Sequence, residues 1–203
     1  MGRKSKITRA PPLDCRDDLT GSLRHAWTML VAGATERGAP FHLPSVATVD
    51  QEGRPQVRIV VLRHCDPERR TVRFHTDVRS SKVEQLSERP QGALVFYDKF
   101  HKIQVRLEVM LRLLQGDDLD RAWAEVHHYS RECYQVASGP GTPVASPCDI
   151  PVDVTGSHGG RDHFAAVEGE VLSLEWLYLS ADYHRRARFV FDGERVDAQW
   201  ILP

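Results

Sequence analysis

The chain has 203 residues, with 27 Lys and Arg against 28 Asp and Glu and a hydrophobic share of 41%. That composition fills one medium domain and excludes a protein that coats nucleic acid through excess cationic charge. No apolar run approaches the ~20 residues that span a bilayer. The basic start Met1–Lys6 is followed by no apolar stretch, so no secretory leader is read there. Four scattered cysteines (Cys15, Cys65, Cys133, Cys148), with no C-x-x-C spacing, read as reduced structural thiols of a cytoplasmic protein.

Residues 1–16 are basic, contain proline, show no periodicity and read as a flexible arm; residues 17–203 read as one domain. From Asp17 the set Leu19, Leu23, Ala26, Trp27, Leu30, Val31 recurs at helical spacing, with Asp17 or Asp18 as cap and Gly33 and Gly38-Ala39-Pro40 as the stop. Ser45–Val49 and Gln56–His64 read as strands around the turn Asp50–Arg54, and Thr71–Thr76 as a third. Ser81-Lys82-Val83-Glu84 reads as a capping box opening a helix to about Glu88, with Val83 and Leu86 inward. Ala93–Tyr97 and Ile103–Leu114 form a second strand pair. Asp117 is then expected to cap a helix carrying Leu119, Ala122, Trp123 and Val126. Residues 137–163, rich in Gly and Pro, read as a loop or lid. The strand-like runs Glu168–Ser180, Arg186–Phe191 and Arg195–Leu202 complete the chain. Many strands joined by short turns predict a mainly β (α+β) fold, an antiparallel Greek-key split β-barrel with peripheral helices.

The chemistry concentrates between Arg58 and Lys82. Strand alternation puts Arg58, Val60 and Leu62 on one face and Ile59, Val61 and Arg63 on the other. A cation on so apolar a strand needs a partner if it is buried. Further on, Phe74-His75-Thr76-Asp77-Val78-Arg79-Ser80-Ser81-Lys82 leads from a strand into a helix. Free amides, hydroxyls and a lysine then converge at a positive helix end, a combination that suits a phosphate. The plainer alternative is that Ser81 and Glu84 only cap the helix while Arg58 and Lys82 sit in solvent.

The order R-I-V-V-L-R, F-H-T, S-S-K and then Ile103-Gln104-Val105-Arg106-Leu107-Glu108 resembles the pyridoxamine 5'-phosphate oxidase family. So does the ending, His184-x-Arg186-x-Arg188-Phe189 with Gln199-Trp200-Ile201-Leu202-Pro203. The resemblance implies an FMN-binding split barrel, a homodimer with the flavin at the subunit interface, and an oxidoreductase moving a hydride from a small anionic substrate to flavin N5. It implies that Arg58 and Lys82 hold the FMN phosphate with Thr76, Ser80 and Ser81 beside it. Ile59, Val60, Val61 and Leu62 would line the ring through their backbone. His75, Gln104, Tyr178 and Arg188 complete the implied cofactor set, Arg63 and Arg131 the substrate set, and His184 and Arg186 the catalytic pair.

The departures are as informative. Ser80-Ser81-Lys82 lacks the family's phosphate arginine, for which Arg79 is the available stand-in. Arg63, His75 and Tyr178 stand where the family has Lys, Tyr and Trp. His184-x-Arg186 reverses the family's R-x-H. The family's substrate-phosphate helix aligns with His127, Arg131 and Gln135 and keeps only the arginine. The alternative is therefore a flavin- or haem-binding protein of the same fold without pyridoxamine phosphate oxidation; another anionic redox cofactor, such as a deazaflavin, is a third reading. No metal site is expected. His127-His128 with Cys133 reads as an incidental surface pair, and His158 and His163 read likewise, although a loop that acts as a lid could bring these two to a substrate. Trp27, Trp123 and Trp176 read as core. Cys65, beside Arg63 and His64, reads as a thiol whose pKa they could lower, though without a placed general base. Neither nucleic acid nor membrane is expected as a partner.

Overall fold

The structure, a computed structural model, describes residues 13–146, 149, 159–181 and 183–203. Residues 1–12 of the expected arm lie outside the described residues, as do Cys148 and His158. Leu13–Arg16 forms a helical turn, α1, with Cys15 buried.

Helix α2 (Leu19–Thr35) is capped by Asp18, whose Oδ2 accepts the Gly21 amide at 2.5 Å. Its apolar stripe buries Ala26, Trp27 and Leu30. The helix runs through Gly33 to Thr35, and the glycine serves close packing instead of a stop: a Cβ at position 33 would lie 2.6 Å from the Phe41 carbonyl oxygen.

Among the described residues nine strands follow: β1 (Ser45–Val49), β2 (Pro55–Ile59), β3 (Leu62–Asp66), β4 (Thr71–Asp77), β5 (Gln91–Asp98), β6 (Ile103–Leu113), β7 (Phe164–Tyr178), β8 (Arg185–Asp192) and β9 (Arg195–Ile201). Each pairs antiparallel with its neighbours in the order β2-β1-β5-β6-β7-β4-β3, and β8 and β9 extend from β7. The run Gln56–His64 is thus two strands, not one, broken at Val60-Val61. The break closes the fold. β2 and β3 are the two ends of the sheet order, yet only three Cα steps, ~11 Å at most, join Ile59 to Leu62. The ends must therefore meet and the sheet must curl into a barrel. The Val60 amide leaves the ladder and donates to the Pro44 carbonyl at 2.9 Å.

The barrel is split at β7. Phe164–Glu170 pairs with β4 and Ser173–Tyr178 with β8, while β6 runs along the other side with a bulge at Glu108/Val109. β7 begins four residues before the expected Glu168, because Phe164–Val167 is buried on both faces and carries no alternation. Burial alternates along β5, β6 and β8, where Leu94, Phe96, Val105, Leu107 and Phe189 point into the core, as do Leu174 and Trp176 of β7. Helix α3 (Ser81–Glu88) buries Val83 and Leu86 as expected. Helix α4 (Gly116–Ala124) has Gln115, not Asp117, at its cap position and no side-chain cap bond. Ala122 and Val126 join Leu114, Phe164 and Ala166 in a second, smaller core.

The close approach at position 33 generates a prediction. Gly33→Ala improves intrinsic helix propensity, but its Cβ must displace backbone, so urea denaturation is expected to show a loss of about 1–3 kcal/mol. Gly38→Ala, with nothing within 4 Å of the added Cβ, is expected to stay within about 0.5 kcal/mol of the parent.

Candidate functional site

Arg58 projects from β2 to the inner side of the barrel mouth, opposite Val46. Its Nη1 donates to Thr48 Oγ1 at 2.5 Å and to the Gln56 carbonyl at 3.2 Å, and its Nη2 donates to Gln85 Oε1 at 3.1 Å. Thr48 in turn donates to the same Gln85 oxygen at 2.6 Å. Lys82, in the first turn of α3, donates to Thr76 Oγ1 at 2.9 Å, and Thr76 meets Ser80 Oγ at 3.2 Å. Burial lowers the Arg58 guanidinium below its ordinary value. Burial and the Arg58 charge together lower the Lys82 amine, against a smaller opposing pull from Asp77.

Two cations therefore share a half-buried space and donate only to neutral acceptors. Neither has a carboxylate in hydrogen-bond or ion-pair contact among the described residues. The helix end beside them is also uncapped. Ser80 is the N-cap residue of α3, but its hydroxyl donates to the Asp77 carbonyl at 2.7 Å instead of accepting from the first turn. The expected capping box is absent: Glu84 accepts from Gln51 Nε2 at 2.9 Å. Ser81 is exposed. Arg79 is not a stand-in phosphate ligand. Its guanidinium is spent on Asp77 at 2.7 Å and on the Val136 and Ala137 carbonyls at 3.0 and 2.9 Å. A dianionic phosphate fits what remains, two converging cations, hydroxyls and a positive helix end.

The burial alternation survives the strand break: Val60 and Leu62 are buried, Ile59 is two-thirds exposed, Val61 is intermediate and Arg63 is exposed. Arg63 is the extra residue of a bulge between the pairs Leu62↔Phe74 and His64↔Arg73. His75 packs edge-on against Phe164 at 4.8 Å, and its Nε2 is buried without a partner among the described residues. Burial, with the Arg73 and Arg63 charges nearby, pushes its pKa down to about 3. Cys65 moves opposite to expectation, up to about 12, because burial and the Asp66 charge both raise it.

A second group lies on the outer face of the sheet. The register aligns Arg106, Glu175 and Arg188 across β6, β7 and β8, and Gln104, Leu177 and Arg186 one step along. Glu175 accepts from Arg186 at 2.6 Å and from Arg106 at 3.4 Å. Arg188 has a buried Nε without a partner among the described residues. Tyr178 belongs to the opposite, core face, its ring beside Trp176. Among the described residues no hydrogen bond or ion pair links this group to Arg58 or Lys82. His184 is exposed before β8. Arg131, at the end of the short helix α5 (His128–Arg131), stacks on Trp123 and donates to the Trp123 and Val126 carbonyls at 3.1 Å, which ties it to the end of α4. His127 precedes α5 rather than lying in it, so its ring meets His128 at 4.4 Å instead of diverging. The described residues contain no cluster that could hold a metal. Thr48, Gln85 and Glu175 escaped the sequence reading; a glutamine at an inward position of α3 was the one available signal.

Residues 24–115 match the family model of the pyridoxamine 5'-phosphate oxidase FMN-binding domain. Over this segment the chain is similar to the pyridoxamine 5'-phosphate oxidase-like family. Pyridoxine/pyridoxamine 5'-phosphate oxidases of Pseudomonas syringae and Hyphomonas neptunium are 31% and 38% identical over 99 and 101 residues, about half of this chain. Each match spans only 45% of the relative's own length. Two solved structures share the split-barrel fold along nearly their whole length. One is a pyridoxamine 5'-phosphate oxidase-related, FMN-binding protein of Nostoc punctiforme (TM-score 0.70, 23% identity, 89% of this chain and 97% of that one). The other is PhzG of Burkholderia lata (TM-score 0.72, 18% identity, 95% and 98%). Among the described residues no helix is long and apolar enough to cross a membrane.

The buried His75 sets a pH dependence. Its folded pKa lies below the ordinary value of 6.5, so the unfolded chain binds the extra proton. The stability held by neutral His75 is complete above about pH 6.5 and is lost as pH falls from there toward 3. Thermal melts are expected to show Tm falling between pH 6.5 and 5 in the parent and staying flatter over that window in His75→Phe.

Proposed function

We propose that the chain binds FMN and uses it to move a hydride from a small anionic substrate. The observation that carries this reading is the pairing of Arg58 and Lys82, half-buried with neutral acceptors only, beside the uncapped end of α3. A phosphate monoester supplies the charge that this pocket lacks, and Arg58, Lys82, Thr76 and Ser80 have the donors to receive it. The backbone of Ile59–Leu62, which leaves the strand ladder at Val60-Val61, would edge the ring. Gln104 and Arg188 would approach from the outer sheet face. The orphaned Arg188 Nε would find its acceptor there and place positive charge near the ring, which favours the reduced form. Bound FMN supplies a hydride acceptor at N5; the chain's part is to position the substrate and exclude water.

The outer face also exposes Val57, Ile59, Val95 and Tyr97. A second copy laid against them would cover this apolar surface and close the site, so a homodimer is part of the proposal.

One observation favours a second reading, a flavin-binding protein of this fold that does not turn over pyridoxamine phosphate. Arg186 is paired with Glu175 and Arg131 is bound to the end of α4. Of Arg63, Arg131 and Arg186, the arginines assigned to substrate binding and catalysis, two are thus engaged within the chain. A flavin spectrum rather than a haem Soret band in the purified protein supports both readings. Peroxide release on adding pyridoxamine phosphate selects the first and its absence the second.

The phosphate assignment is tested by comparing FMN with riboflavin in fluorescence-quenching titrations. Arg58→Ala and Lys82→Ala are each expected to weaken FMN about tenfold or more, the loss of a charge-assisted hydrogen bond, and to leave riboflavin unchanged. Equal weakening of both ligands would contradict the assignment. Ile59→Glu, on the exposed face, is expected to give a monomer by sedimentation that has lost FMN affinity.

A further inference from the structure

On the other side of β4 lies a cleft of about 310 Å3 between the outer face of β3, β4, β6 and β7 and the helix α4. It shares no lining residue with the flavin site proposed above. Its floor is a row across the sheet, His64, Arg73, Glu168 and Arg112, set by the pairings of β3, β4, β7 and β6. Arg112 is satisfied by Glu168, and Arg121 on α4 by Asp118.

Arg73 is different. Its side chain is nine-tenths buried, on a strand whose neighbours Val72 and Phe74 are core residues. One of its terminal nitrogens, Nη2, donates to Glu125 Oε2 at 2.5 Å. Its Nε is buried with no acceptor among the described residues. A guanidinium offers Nε and one Nη side by side, a fork matched to two oxygens of a single carboxylate or phosphate. Glu125 fills half of that fork. It is also weakly held: it stands at the C-cap of α4 with 60% of its side chain exposed. Such a carboxylate swings into water at little cost, whereas Arg73 cannot follow it.

We propose that this cleft binds a small anion carrying a carboxylate or phosphate group, which displaces Glu125 from Arg73 and engages both Nε and Nη2. Glu125 acts as a tethered stand-in for the ligand. Moving it outward changes the cleft from charge-balanced, four arginines against four carboxylates, to net cationic, and so matches a monoanionic group.

The test reads Arg73 directly. In full-length protein the Nε–H signal of Arg73 is followed by 15N–1H spectroscopy during titration with inorganic phosphate and, separately, with acetate, at ionic strength held constant with chloride. A saturable shift of that signal in the millimolar range is expected with at least one of the two, and the one that shifts it identifies the anion class. Glu125→Ala, a substitution at an exposed position, is expected to tighten the binding by up to about fivefold, the competition removed with a half-exposed ion pair. No saturable shift with either anion, or binding that Glu125→Ala fails to tighten, overturns the proposal. Because the readout is local to Arg73, phosphate taken up at Arg58 and Lys82 does not imitate a positive result, and failure here leaves the flavin reading untouched.

Discussion

Val60 and Val61 carry the chain from one end of the sheet to the other, and most of the molecule's geometry follows from that short crossing. The sheet must curl until β2 and β3 meet. Arg58, two residues before the crossing, is consequently turned toward the barrel mouth, where α3 packs and brings Gln85 and Lys82 beside it. The Val60 amide bonds to Pro44 instead of a strand neighbour, so backbone at the crossing lies outside the ladder while still being held. A barrel closed by a longer loop would not force the cation and the helix end together.

Burying like charges together is unfavourable unless an opposite charge arrives. The chain tolerates Arg58 and Lys82 because each retains some water contact and neutral hydrogen-bond acceptors. Thr48, Gln85 and Thr76 orient the two side chains without neutralising them. The outer-face group shows the contrary arrangement, in which Glu175 already lies between Arg106 and Arg186. One cationic group is therefore left open to an external anion, and the other is largely settled within the protein.

Elements with local signals were legible in the sequence. α2 and α3 carry 3.6-residue stripes, and β5, β6, β8 and β9 alternate or are bounded by turns. The break at Val60-Val61 was not, since burial alternates straight through it and only long-range pairing with β1 and β4 ends the two strands. The start of β7 was hidden because Phe164-Ala165-Ala166-Val167 is buried on both faces. At the site, Arg58 and Lys82 stood out as cations next to apolar or capping residues. Arg73, flanked by Val72 and Phe74, carries the same signal. Side-chain partnerships such as Arg79 with Asp77, Arg186 with Glu175 and Arg131 with the end of α4 depend on tertiary placement, which a motif does not encode.

If Lys82 and Arg58 form a cationic pocket for a phosphate, the Lys82 amine senses its filling. Its titration can be followed by NMR of the side-chain ammonium in the free protein and with FMN bound. The Lys82 pKa is expected to lie below that of an ordinary lysine in the free protein and to rise when FMN is added. An ordinary value that FMN leaves unmoved would contradict the phosphate assignment.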